Sequence, residues 1–127
     1  MRFMMLMIPN GYEKAKVDAL PTKEMVDAMM KYNDALKQAG MLIALDGLHP
    51  PAEAARVAFN RGQPTVTHGP FPGSAETVGG YWMIEAKSRE HAIEWASRCP
   101  AQDGDVIEIR QVQELEDFPA EIREVLR

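Results

Sequence analysis

Three histidines, His49, His68 and His91, carry the side chains whose charge changes near neutral pH without special surroundings. His91 falls in the first turn of a predicted helix, where an imidazolium meets the positive end of the helix dipole, and no carboxylate pattern surrounds it. It reads as a surface residue. His49 falls where a predicted strand runs into Pro50-Pro51, and His68 where another runs into Gly69-Pro70. Strand ends that open into loops are where sites are commonly built, so these two are the candidate catalytic residues. With Asp46 or Glu76 nearby, an imidazole can serve as a general base oriented by a carboxylate, or the same groups can ligate a metal. The plainer alternative is that each imidazole hydrogen-bonds a loop carbonyl.

Other chemistries fit less well. Cys99 follows a predicted helix C-terminus, where the negative end of the dipole raises a thiol pKa, so it reads as a core residue and not a nucleophile. Gly69, Gly73, Gly79 and Gly80 form no G-x-G-x-x-G or G-K-[ST] pattern, and their loop leads into a strand, so no nucleotide cradle is expected. The nine methionines sit at helix and strand spacings and read as filling. On the last predicted strand Glu108 and Arg110 share a face, which makes Arg110, with Tyr81 and Glu76, a candidate ligand-binding residue. A simple ion pair is the alternative.

The elements that must position these groups follow from pattern. Phe3 to Ile8 is apolar on both parities, as expected of a strand covered on both faces. A polar connection from Tyr12 to Leu20 precedes a helix capped by Thr22, with Met25, Met29, Tyr32, Leu36 and Ala39 inward and Gly40 as its stop. Met41 to Leu48 is a second strand. Ala55 to Asn60 and Thr65 to His68 form a hairpin around Arg61-Gly62-Gln63-Pro64. After a loop from Gly69 to Gly80 come a strand to Ala86, a helix capped by Ser88 with Ala92, Trp95, Ala96 and Cys99 inward, a strand from Val106 to Gln113, and a terminal helix from Phe118 to Leu126.

With the hairpin treated as an insertion, the order is that of an α+β, ferredoxin-like βαββαβ fold. Two main helices cover one face of a four-stranded sheet, yet Tyr81 and Met83 oppose Trp82 and Ile84 on a strand that is again apolar on both sides. A second copy packed face to face, giving a dimeric α/β barrel with clefts at its rim, solves this economically. The alternative is that the hairpin and terminal helix cover the second face. The 127 residues are expected to make one domain, 1–127. Eight basic and seven acidic residues lie up to Gln63, six and twelve beyond, so no direct nucleic-acid partner is expected. Mean hydropathy is −0.29, no apolar run approaches a membrane span, and the opening run stops at Pro9 with no small-residue cleavage site after it. The expected location is the cytoplasm, and no cofactor is expected.

Gly47-Leu48-His49-Pro50, Thr65-Val66-Thr67-His68-Gly69-Pro70-Phe71, Gly79-Gly80-Tyr81-Trp82, Glu94 to Pro100 and Glu108 to Val112 together resemble the YCII-related family in its DGPF branch, from about Met1 to Phe118. The resemblance implies a ferredoxin-like fold of the dimeric α/β barrel superfamily. It implies no single reaction: related proteins are suggested to use a His and Asp pair, one is a dehydrochlorinase of chlorinated rings, and the DGPF branch often accompanies extracytoplasmic-function sigma factors. His49 matches the family histidine, and Gly69, Pro70 and Phe71 match the end of the naming motif. His68 stands where the family has Asp, and Gly73 and Ala75 where it has Glu and Lys, while Glu76 remains. An imidazole there can take a proton but supplies no fixed negative charge.

The leading expectation is a homodimer that binds a small anionic or aromatic molecule in an interface cleft, with His49 and His68 at its mouth and Glu76, Tyr81 and Arg110 contributing. Histidine acid/base chemistry is the class of reaction it would support. The alternative is a non-catalytic dimerisation or regulatory module that contacts a sigma factor through Glu114, Glu116, Asp117, Glu121 and Glu124.

Overall fold

The structure is a computed structural model and describes residues 1–16, 20–71, 73 and 75–127. Parts of the predicted Tyr12–Leu20 connection and of the Gly69–Gly80 loop therefore lie outside the described residues. Four strands, β1 (Arg2–Ile8), β2 (Leu42–Gly47), β5 (Gly80–Glu85) and β6 (Val106–Gln111), form an antiparallel sheet in the order β2-β5-β1-β6. Helix α1 (Lys23–Gln38) joins β1 to β2 and α2 (Arg89–Ala96) joins β5 to β6. This is the ferredoxin-like arrangement. The insertion between β2 and β5 is a separate two-stranded ribbon, β3 (Ala55–Asn60) and β4 (Gln63–His68), and α3 (Ala120–Leu126) ends the chain.

Both helices begin as their sequences dictate. The Thr22 hydroxyl accepts the Met25 N–H at 3.2 Å and the Ser88 hydroxyl accepts the His91 N–H at 3.1 Å, each satisfying an amide that the helix leaves orphaned. His91 does more than sit at the surface: its Nδ1 accepts the Lys87 N–H at 3.1 Å and closes the start of α2. The core lies between the helices and one sheet face, where Phe3, Met5, Leu36 and Ile84 are fully buried. Tyr32 meets Trp82 edge to face, with centroids 5.7 Å apart, a pairing worth about 0.5–1.5 kcal/mol beyond burial. The polar ends of both rings are spent on binding elements together, Tyr32 donating to the Trp95 carbonyl (2.7 Å) and the Trp82 indole to Asn33 Oδ1 (2.7 Å).

The register puts Met4, Leu6 and Ile8 of β1 beside Met83 and Tyr81 of β5 and Val106 of β6 on the other sheet face. All of these are at least partly exposed. The alternative expectation, that the hairpin and terminal helix cover this face, is not met: the ribbon is a sheet of its own, and α3 packs on the turn just before it. The hairpin also differs from its predicted bounds. Arg61 (φ 53) and Gly62 (φ 77) make a two-residue turn with both residues left-handed, so Gln63 and Pro64 belong to β4. Such a turn matches the twist of the ribbon, and Pro64 is tolerated because it sits in a ribbon of two edge strands.

Cys99 is a free thiol packed against the core. Burial first, then the charge of Asp105, push it up from its ordinary 9.0 to about 11. Because the folded protein disfavours the thiolate, this group's contribution to stability is complete below pH 9 and is lost as pH rises toward 11. In urea titrations at rising pH, Cys99→Ala is expected to lose less stability than the wild type across that interval. Equal losses would show that the thiol does not titrate in this environment.

Candidate functional site

Beyond β2 the chain cannot continue as strand, because Pro50 and Pro51 have no N–H to donate. Instead Pro51 opens a single turn, Pro51–Glu53, whose amides at Glu53 and Ala54 donate to the Pro50 and Pro51 carbonyls at 3.0 Å each. Proline is suited to that first position because its missing N–H would have no partner there. The turn brings Glu53 back beneath His49, and Nδ1 lies 3.0 Å from Glu53 Oε2. A proton on Nδ1 would face that carboxylate, and the neutral ring would then keep the Nε2 lone pair free to act as a base.

The segment before His49 is anchored on both sides of its backbone. Leu48 N–H donates to the Gly79 carbonyl (2.9 Å), and the Leu48 carbonyl accepts from the Tyr12 hydroxyl. Gly69 closes the other side. Its N–H donates to the Ala54 carbonyl at 2.7 Å, and a Cβ there would sit 1.7 Å from the Pro51 carbonyl oxygen, so only glycine fits.

A cleft of about 350 Å³ opens beside this turn. Its walls are largely apolar, from Leu48, Pro50, Pro51, Ala54, Phe71 and Val78, and its polar groups are His49, Glu53, Arg56 and Thr77. The Arg56 guanidinium lies 4.0 Å from the centre of the Phe71 ring, an arrangement that holds a cation at the cleft wall. Thr77 Oγ1 is buried and has no hydrogen-bond partner among the described residues, a hydroxyl that can serve a ligand. Phe71 also borders a second cavity of about 490 Å³, where Glu13 Oε2 is buried without a partner among the described residues.

The sequence-predicted residues fall in five places. His49 lines the cleft, with Glu53 as its carboxylate and not Asp46 or Glu76. His68 ends β4 at the base of the ribbon, opposite Ala55, and does not line that cleft. Glu76 is exposed and precedes Thr77 in the chain. Tyr81 donates to Asp46 Oδ2 at 2.8 Å, and with it lines a smaller cavity of about 200 Å³; that bond and the adjacent negative charge raise the phenol's pKa. Arg110 is on the open sheet face, 3.2 Å from Glu108 on its own strand. Two of the acidic residues noted near the C-terminus act within the fold, Glu114 binding Arg2 (2.6 Å) and Asp117 accepting the Glu114 N–H (2.8 Å).

Glu53, Arg56 and Thr77 were not singled out by sequence. The His49 to Glu53 separation, four residues with prolines in the first turn, was the available signal for the pair. Among the described residues no three or more His, Cys, Asp or Glu side chains cluster as a metal site would, and no helix is long and apolar enough to cross a membrane.

Together these features define a ferredoxin-like α+β domain with a histidine–carboxylate pair at the mouth of an apolar cleft. The chain belongs to the YCII-related domain family, whose model matches residues 1–116. No curated protein matches the chain.

The clamp at Gly69 is testable. Gly69→Ala must displace the Pro51 backbone and is expected to cost about 1–3 kcal/mol in urea unfolding, with amide shifts at Glu53 and Ala54. Gly47→Ala, with nothing near its added carbon, is expected to stay within about 0.5 kcal/mol of wild type. Equal behaviour of the two would remove the clamp from the account.

Proposed function

We propose that this protein, of the DGPF branch of its family, is a cytoplasmic homodimer that binds a small anionic or aromatic molecule in the His49 cleft. There His49 takes a proton from the bound molecule in a cofactor-independent proton transfer or elimination. The observation that carries this reading is the 3.0 Å His49–Glu53 contact beside an apolar cleft that also holds Arg56 and a buried Thr77 hydroxyl with no partner among the described residues.

The roles follow from charge. Glu53 fixes the ring and stabilises the imidazolium that forms when Nε2 accepts the proton. Arg56 faces the negative group of the ligand, and Phe71 and the prolines pack its body. In an elimination the C–H electron pair becomes the new C=C bond, the leaving group departs with its own bonding pair, and the proton passes from Nε2 to water. The His49 side chain is 85% exposed in the single chain, and a homodimer with clefts at its interface supplies the cover that excludes water. His68 lies at the base of the hairpin as the second candidate imidazole, and Glu76, Tyr81 and Arg110 are the outlying candidates for ligand contact. A regulatory module that contacts a sigma factor is the second reading, supported by exposed Glu116, Glu121 and Glu124 near the C-terminus.

Thermal unfolding with benzoate and other small aromatic carboxylates tests the site. Benzoate, or another acid of that panel, is expected to raise the wild-type Tm; His49→Ala is expected to abolish the rise and Arg56→Ala to reduce it. The same assay on His68→Ala decides whether the second imidazole belongs to the site. A rise that survives in both His49→Ala and Arg56→Ala would place binding elsewhere.

A further inference from the structure

Beside the His49 cleft lies the larger second cavity, of about 490 Å³. The Pro51–Glu53 turn and Phe71 stand between the two: Pro51 and Glu53 line the cleft, Ala52 lines the second cavity, and Phe71 borders both. Another wall is the single turn Tyr12–Lys14. Gly11 opens that turn with a left-handed φ of 75°, the Lys14 and Ala15 amides donate to the Gly11 and Tyr12 carbonyls at 3.0 Å each, and the Tyr12 hydroxyl ties it to the Leu48 carbonyl. A turn tied at both ends presents its side chains in a fixed frame.

Glu13 stands on this turn. Its Oε2 is buried without a hydrogen-bond partner among the described residues, and Glu13 joins none of the ion pairs found among them. A carboxylate oxygen removed from water with nothing to accept from costs free energy, and a ligand's N–H removes that cost. The remaining groups of the cavity say which ligand. Ala15, Ala52, Pro70 and Phe71 are apolar, while Lys14 and Lys16 are exposed and line the cavity from its solvent side. An acceptor lies inside, an apolar middle follows, and two cations lie at the mouth.

We propose that this cavity is a second ligand site, for a small amino-acid-like zwitterion. The ammonium donates to Glu13, the apolar body packs on Phe71 and Pro70, and the carboxylate faces Lys14 and Lys16. Charge selects this class over simpler ones. A plain organic anion has nothing to donate to Glu13, and a plain amine satisfies Glu13 but leaves its own charge beside two lysines uncompensated. None of the three charged groups lines the His49 cleft, so this site stands or falls apart from the acid/base role of His49.

Three matched probes, L-phenylalanine, 2-phenylethylamine and 3-phenylpropionate, separate the contributions when each is titrated at millimolar concentration and neutral pH into the isotope-labelled full chain. L-Phenylalanine is expected to shift the amide resonances of Glu13 and Ala15, 2-phenylethylamine to do so with weaker affinity, and 3-phenylpropionate to leave both unmoved. This comparison needs no variant. Glu13→Gln keeps the size of the side chain and removes its charge, and is expected to weaken L-phenylalanine binding at least about tenfold without lowering the midpoint of urea unfolding. Joint replacement Lys14→Ala and Lys16→Ala is expected to weaken L-phenylalanine and spare 2-phenylethylamine, and His49→Ala to leave the Glu13 and Ala15 shifts as they are. Resonances of Glu13 and Ala15 that move with neither amine, or move equally in wild type and Glu13→Gln, would overturn the site. A response to 3-phenylpropionate as large as that to L-phenylalanine, or tighter binding of 2-phenylethylamine, would overturn the zwitterion as its ligand.

Discussion

The backbone of Gly69 lies so close to the Pro51 carbonyl that no side chain fits between them, and much of the site depends on that contact. Close approach of two backbones is tolerable only where their polar groups are paired, and here the Gly69 N–H is taken up by the Ala54 carbonyl. The contact pins the return of the hairpin against the turn that carries Glu53. With Leu48 held by Gly79 and Tyr12, the backbone that carries His49, Glu53 and the cleft wall is held by hydrogen bonds from three separate stretches of sequence. Precise placement of a base needs such over-determination, because a surface His–Glu pair left to its own rotamers would be worth little and would hold no fixed geometry.

The second organising constraint is the sheet. One face is filled by two helices through Leu36, Tyr32 and Ala92, with the ring polar groups used as ties between α1, α2 and β5. The other face is apolar at its centre and open. A domain of this size gains most of its stability by burying apolar surface, and the open sheet face is the observation on which the proposed homodimer draws. The cleft lies at the junction of sheet, turn and ribbon, where a second copy can complete it.

Much of the fold was legible because periodicity reports burial. Phe3, Met5, Trp82 and Ile84 alternate along their strands and fill the face that the helices cover, and Thr22 and Ser88 cap the helices they were expected to cap. The hairpin turn was misplaced by two residues because Pro64 suggested a turn, while the left-handed pair Arg61-Gly62 does the turning alone. The site was legible in part. His49 stood out by its place at a strand end, but its partner did not: Pro50-Pro51 announces the end of a strand, and only the folded turn shows that the same prolines start a helical turn that returns Glu53 to the ring. Arg56 follows Glu53 closely but on the ribbon, Thr77 comes from distant sequence, and the two meet only in three dimensions. Their signals were an ordinary strand arginine and an ordinary loop threonine.

The most direct test of the account is the tautomer of His49. Long-range proton–nitrogen correlation spectra recorded at about pH 8, where an ordinary imidazole is neutral, report which ring nitrogen carries the proton. The account predicts that Nδ1 is protonated and Nε2 bare in the wild type, and that this preference disappears in Glu53→Ala. A wild-type ring protonated at Nε2 would contradict it, since His49 would then have neither an N–H facing Glu53 nor the free lone pair on which its role as a base depends.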